Sequence, residues 1–116
     1  MSYRIVNPAS ITAGRGPHPA ASPFDKGVSD ELGITAFEIY QVELPPGART
    51  VAHDHLKDRS EDVYLILRGD GWLAVDTEEI RVQPGEFVAV RIESTRQLRA
   101  GDGGLDFVAV CSTAPT

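Results

Sequence analysis

The sequence predicts one all-β domain, built as a compact barrel from many short strands. Three observations carry this reading. The chain has 116 residues, the size of a single domain with one core. Its apolar residues fall into short runs, with glycine and proline between them at intervals of about 8–12 residues. Nowhere does an apolar period of about 3.6 residues persist long enough for a helix of three turns. Short strands separated by turn residues indicate a sandwich or barrel.

Residues 1–35 read as an N-terminal arm and long loop. Asn7-Pro8, Gly14, Gly16-Pro17, Pro19, Pro23 and Gly27 punctuate it. One edge strand is expected at Tyr3–Val6. His18 lies in this arm and is expected in solvent. Order is expected from Ala36, and the barrel proper over residues 36–111.

The first barrel strand is Ala36–Leu44, ended by Pro45-Pro46-Gly47. Thr50–His53 is a short extended piece, and Lys57–Ser60 a charged turn. Asp62–Arg68 is the most apolar strand, turned back by Gly69-Asp70-Gly71. Trp72–Asp76 and Glu79–Gln83 form a hairpin, and Pro84-Gly85 ends it. Phe87–Arg91 alternates apolar and polar residues. Arg96–Arg99 is a further short strand. Gly101–Gly104 reads as a turn before Leu105–Cys111, and residues 112–116 as a tail.

Charge and cysteine narrow the classes. Lysine and arginine number 11 against 17 acidic residues, a formal net charge of −6. A nucleic-acid binder would present a basic stripe, so no nucleic-acid partner is expected. The single cysteine, Cys111, lies in an apolar run and reads as a small buried hydrophobe in a reducing compartment. No apolar run approaches membrane-spanning length, and the N-terminus lacks the pattern of a secretory leader. A cytoplasmic protein without a membrane partner is the expectation.

Chemistry concentrates in His53-Asp54-His55 with Glu61 and Asp62. Alternation along an extended segment turns both imidazoles of a His-x-His pair to one face. Imidazole and carboxylate together are ordinary ligands for iron, manganese, zinc or nickel. The acids begin the next strand and face opposite ways, so one of them points inward. The competing reading is a polar loop that binds nothing.

Gly47-x5-His53-x-His55, followed by Glu61 or Asp62 and then Gly69, resembles the first motif of the cupin superfamily. Pro84-Gly85-Glu86 through Arg96 is similar to the start of its second motif. The resemblance covers about residues 36–111. It implies a double-stranded β-helix, or jelly-roll barrel, commonly a homodimer and in many members holding a divalent metal. It implies little about the reaction, because fold does not fix function.

His53 and His55 match the two histidine ligands of that motif. For the acidic ligand, strand register toward Gly69 favours Asp62, on the face shared with Tyr64 and Ile66. Residue type and reach favour Glu61. The second motif departs further, since Arg96 stands where its histidine would be. A guanidinium offers donors and no lone pair, so it cannot ligate. Two outcomes follow. A facial triad of two histidines and one acid holds the metal, with Arg96 clamping an acidic substrate. Alternatively the metal is lost, and the barrel binds a small organic ligand without turnover. Tyr40 and Tyr64 are further candidates to line the pocket and act on the ligand. The expected activity is that of a metal-dependent oxygenase or isomerase, the alternative an accessory ligand-binding domain.

Overall fold

A computed structural model describes residues 2–14 and 22–115. His18 lies outside the described residues. The elements are β1 (Asp25–Gly27), α1 (Val28–Leu32), β2 (Glu38–Leu44), β3 (Ser60–Val75), β4 (Glu78–Val82), β5 (Phe87–Val90) and β6 (Arg96–Thr113). All strand pairings are antiparallel, in the order β1-β2-β6-β3-β4, with β5 on the other side of β3.

Two long strands make the barrel. The expected strands Asp62–Arg68 and Trp72–Asp76 join into β3, and Arg96–Arg99 joins Leu105–Cys111 in β6. Register shifts between Ile66 and Arg68 and between Gly69 and Gly71 bend the pair. Their first pairing, Ser60–Gly69 with Leu105–Thr113, belongs to a front sheet with β1, β2 and β5. Their second, Gly71–Val75 with Arg96–Ala100, belongs to a back sheet with β4. Arg49 and His53 bridge to Arg99 and Arg96 and extend that sheet.

Gly69-Asp70-Gly71 and Gly101–Gly104, despite their turn composition, are corners within the continuous strands β3 and β6. Gly69 adopts φ 87°, and a Cβ there would stand 2.1 Å from the Gly104 carbonyl oxygen. Neither the angle nor the approach admits a side chain.

Alternation fills the interior. Val42, Leu44, Tyr64, Ile66, Leu105 and Phe107 enter from the front sheet, and Leu73, Val82, Leu98 and Ala100 from the back. The arm differs from expectation. Ser2–Val6 forms no strand, while β1 and α1 lie inside the segment read as loop. A three-residue strand and a five-residue helix, capped by Gly33 at φ 73°, are too short to show a period. Ordered pairing runs on to Thr113, into the expected tail. No helix among the described residues is long and apolar enough to cross a membrane.

Candidate metal and ligand site

The polar cluster is assembled by pairing at the mouth of the barrel. His53 and Arg96 exchange both backbone hydrogen bonds, at 3.1 and 2.9 Å, which sets the two side chains at one corner. The His55 N–H donates to the Ile92 carbonyl at 2.9 Å and anchors the second histidine. The two imidazoles meet edge to face, with ring centroids 4.8 Å apart. Asp62 follows from the inward face of β3, between Ser60 and Tyr64.

Asp62 is the hub. One carboxylate oxygen, Oδ2, lies 2.9 Å from His55 Nε2, 2.7 Å from Arg96 Nη1 and 3.1 Å from the Tyr64 hydroxyl. Its other oxygen accepts from Ser60 Oγ at 3.3 Å. Such a carboxylate is tolerated in the interior because its lone pairs are met and its charge is paired.

Each histidine is oriented from behind. His53 Nδ1 lies 2.8 Å from the Val51 carbonyl, which can only accept, so Nδ1 carries the proton and Nε2 the lone pair. Burial lowers the pKa of His53 below its usual 6.5, with the nearby His55 and Arg96 acting the same way against the Val51 hydrogen bond. Its neutral, ligating form is favoured. His55 Nδ1 lies 2.9 Å from Asp58 Oδ1, the carboxylate–histidine arrangement typical of metal-bound imidazoles. Burial opposes ionisation of Asp58, yet hydrogen bonds from the Ser60 N–H and from His55 outweigh it and hold this carboxylate below its usual range.

The donor set fits a divalent ion. Ligand atoms of His53, His55 and Asp62 all lie within 4.8 Å of one another. Both ring nitrogens of His55 face carboxylates at 2.9 Å, and a neutral imidazole donates from only one of them, so the other contact calls for a cation or a second proton.

A cavity of about 60 Å³ opens beside the cluster. His53, His55, Asp62 and Tyr64 form its polar end, and Val42, Leu98, Phe107 and Ala109 its apolar walls. It has room for a few waters or one end of a small ligand. Tyr40 and Thr50 reach it from the rim. The Tyr40 hydroxyl donates to Glu38 at 3.3 Å. Burial raises the pKa of both Tyr40 and Tyr64, with Glu38 and Asp62 adding to it, so both phenols stay protonated.

Two of the expected site residues are placed elsewhere. Glu61 is exposed on the outer face, because alternation that buries Asp62 turns its neighbour outward. Arg96 points inward, as a clamp would, but its fork is turned to the protein. It is 1% exposed, with Nη1 on Asp62, Nη2 on the Arg91 and Ser94 carbonyls and Nε on Ser94. It does not line the cavity. It braces Asp62 instead of gripping a substrate. Asp58 and Ser60 are supports that sequence reading missed. The three-residue step from His55 to Asp58 within a turn was the signal available for the first.

No family model matches the sequence. An uncharacterized protein of Methanocaldococcus jannaschii is 26% identical over 90 residues, 78% of this chain and 64% of that protein. The chain thus spans somewhat less than two thirds of the length of this relative. A cupin protein of Bacteroides fragilis superposes with a TM-score of 0.76 at 24% identity, over 100% of this chain and 88% of that one. This chain has the cupin fold. A cupin-superfamily sugar phosphate isomerase of Silicibacter pomeroyi gives the same score, 0.76, at 20% identity, over 97% and 77% of the two chains. A cupin 2 conserved barrel protein of Salinispora arenicola gives 0.67 at 18% identity, over 98% and 90%. Within the cupin barrel, the cluster joins Asp62 of the front sheet to Arg96 and the bridged His53 of the back sheet.

Proposed function

We propose that this cupin barrel binds a divalent transition metal through His53, His55 and Asp62 and presents it to a small organic ligand. The observation that supports this is the convergence of three ligand atoms within 4.8 Å, with both imidazoles oriented from behind by Val51 and Asp58. When bound, such an ion supplies a Lewis acid with open positions, which suits an isomerase or an oxygenase. The chain's own residues do the rest. Tyr64 and Arg96 hold the Asp62 carboxylate in place, and Val42, Leu98 and Phe107 exclude water from the ligand. With Arg96 turned away and, among the described residues, no guanidinium or ammonium lining the cavity, the ligand's buried part is largely apolar.

One observation favours a second reading. Arg96 already neutralises Asp62 at 2.7 Å, so the site is charge-balanced without an ion. A proton on His55 between Asp58 and Asp62 would satisfy the same geometry. The barrel would then be a metal-free ligand-binding module.

Metal analysis of the purified chain, followed by calorimetric titration with manganese, iron, nickel and zinc, separates the two. The metal reading expects one ion per chain, and loss of uptake in His53→Ala and Asp62→Ala. Absence of binding tighter than roughly micromolar (about −8 kcal/mol) would sink it and leave the second.

A further inference from the structure

The cavity beside the histidines changes character toward its rim. Its walls are apolar, and at its deep end Asp62 is matched by Arg96 at 2.7 Å. The rim is acidic. Asp25 is the register partner of Val42, whose own partner is Phe107, so all three face the interior of the front sheet and line the cavity. Glu38 faces the same way, as the partner of Cys111, which in turn is the partner of Asp62. Its Oε2 lies 3.3 Å from the Tyr40 hydroxyl and 3.5 Å from Cys111 Sγ, and both of those residues line the cavity. Asp30, on α1, reaches the same place. A Cβ on Gly27, the partner of Tyr40, would stand 3.3 Å from its carboxylate.

Among the described residues no lysine or arginine pairs with Asp25, Asp30 or Glu38. Asp25 accepts from the Ser22 N–H at 3.1 Å and from Ser22 Oγ at 2.6 Å, which fix its carboxylate without neutralising it. Lys26, the next residue, is turned to the outer face and pairs with Glu43 at 3.2 Å. Burial raises the pKa of the Tyr40 phenol most, and the charges of Glu38 and, more weakly, Asp30 add to it, so both acids are felt at that hydroxyl. In a cleft with apolar walls, charges of one sign act together, because the walls focus their field. A carboxylate or phosphate ligand would enter against that field. A positively charged ligand offsets it and gains the face of the Tyr40 ring as well.

We propose that the cavity selects a small ligand bearing an ammonium group, held at the rim by Asp25, Glu38 and Asp30 beside Tyr40, with its uncharged end in the apolar interior toward His53 and His55. This rests on the reading of the cavity as a ligand site, and not on whether an ion is bound there. It reverses the expectation of an acidic ligand, which depended on a free Arg96.

Three probes of similar size separate charge from shape. They are ethanolamine, an ammonium at pH 7, neutral 1-propanol, and glycolate, an anion. Each is titrated at matched ionic strength into the isotopically labelled full chain, with and without zinc. Glycolate is compared in the zinc-free chain alone, where it has no ion to ligate. Binding is read from the amide NMR shifts of Val42, Leu98, Phe107 and Ala109. Ethanolamine is expected to bind at least about tenfold more tightly than 1-propanol, and glycolate more weakly than either. Asp25→Asn combined with Glu38→Gln should reduce the preference to about twofold or less. Glu38→Gln alone, at an exposed position that does not endanger the fold, should reduce it partway. Glu61→Gln removes the same charge from the outer face and should leave the preference intact. Equal binding of the three probes, a preference for glycolate, or a preference that survives the double variant overturns the proposal. Failure of all three to shift the cavity residues overturns it together with the ligand-site reading. Calorimetric titration with metal reports on the ion independently of either.

Discussion

Arg96 stands beside two histidines and an acid, and its effect passes through Asp62. The pair is buried on both sides, with side chains 1% and 6% exposed. Breaking such a pair strands a charge. Arg96→Met is therefore expected to cost about 3–5 kcal/mol of stability, read by urea unfolding. Arg96→His asks a different question. It removes a positive charge a few ångströms from the ion's place and adds a lone pair. At an effective dielectric constant near 20 that charge alone is worth a few kcal/mol. Metal affinity by calorimetry is expected to rise at least about tenfold, while the metal-free protein loses stability. Unchanged affinity would mean that the ion does not share Asp62 with residue 96. Cys111 gives a pH test at the same scale. Burial, then the charges of Asp62 and Glu38, push its thiol from 9.0 up to about 12. The unfolded chain ionises first, so this group's contribution to stability is present below about pH 9 and is lost as pH rises toward 12. Iodoacetamide at pH 8.5 should label the urea-unfolded chain fully while sparing the native thiol. Rapid labelling of the folded protein would contradict its burial.

At the scale of elements, β3 and β6 carry the architecture, and the sequence showed each as two strands. The reason is physical. Gly69-Asp70-Gly71 and Gly101–Gly104 have turn composition, but in the fold they let two bent strands cross closely. A local reading cannot tell a reversal from a bulged corner, because both require glycine. The two uses differ in what a side chain would meet. At Gly85, φ is 88° and nothing lies within 4 Å of a Cβ, so Gly85→Ala bears backbone strain alone, about 1–2 kcal/mol. At Gly69 the φ is similar, but the Cβ meets the Gly104 carbonyl oxygen at 2.1 Å. Gly69→Ala is expected to cost clearly more, about 3 kcal/mol or above, since strain and overlap add. Chemical denaturation of the two variants side by side measures the difference. Equal costs would show that the corner relaxes freely. The hairpin of β3 and β4, β5 and the strand before Pro45 were legible, since their apolar runs and stops are local.

For the molecule as a whole, the site was legible to the extent that it is local. His53 and His55 share a face by spacing, and the choice between Glu61 and Asp62 follows once β3 buries its Asp62–Tyr64–Ile66 face. What spacing could not show is the commitment of Arg96. That depends on the bridge between His53 and Arg96 and on the reach of Arg96 Nη1 to Asp62, contacts that exist only after β6 folds back on the front of the chain. The same long-range closure ties ligand binding to global stability. His53 sits on an irregular segment, His55 beside Ile92, and Asp62 on β3, so an ion held by all three joins parts that separate on unfolding. An ion that binds the native state alone stabilises it by about 2.7 kcal/mol at a hundred times its Kd. For a domain of this size, that raises Tm by about 10 °C. Differential scanning calorimetry with and without the metal should show this rise, and a chelator should reverse it. His53→Ala, at a partly exposed position outside the strands, should keep the metal-free Tm within a few degrees and lose the rise. A rise of equal size in that variant would place the ion elsewhere on the molecule.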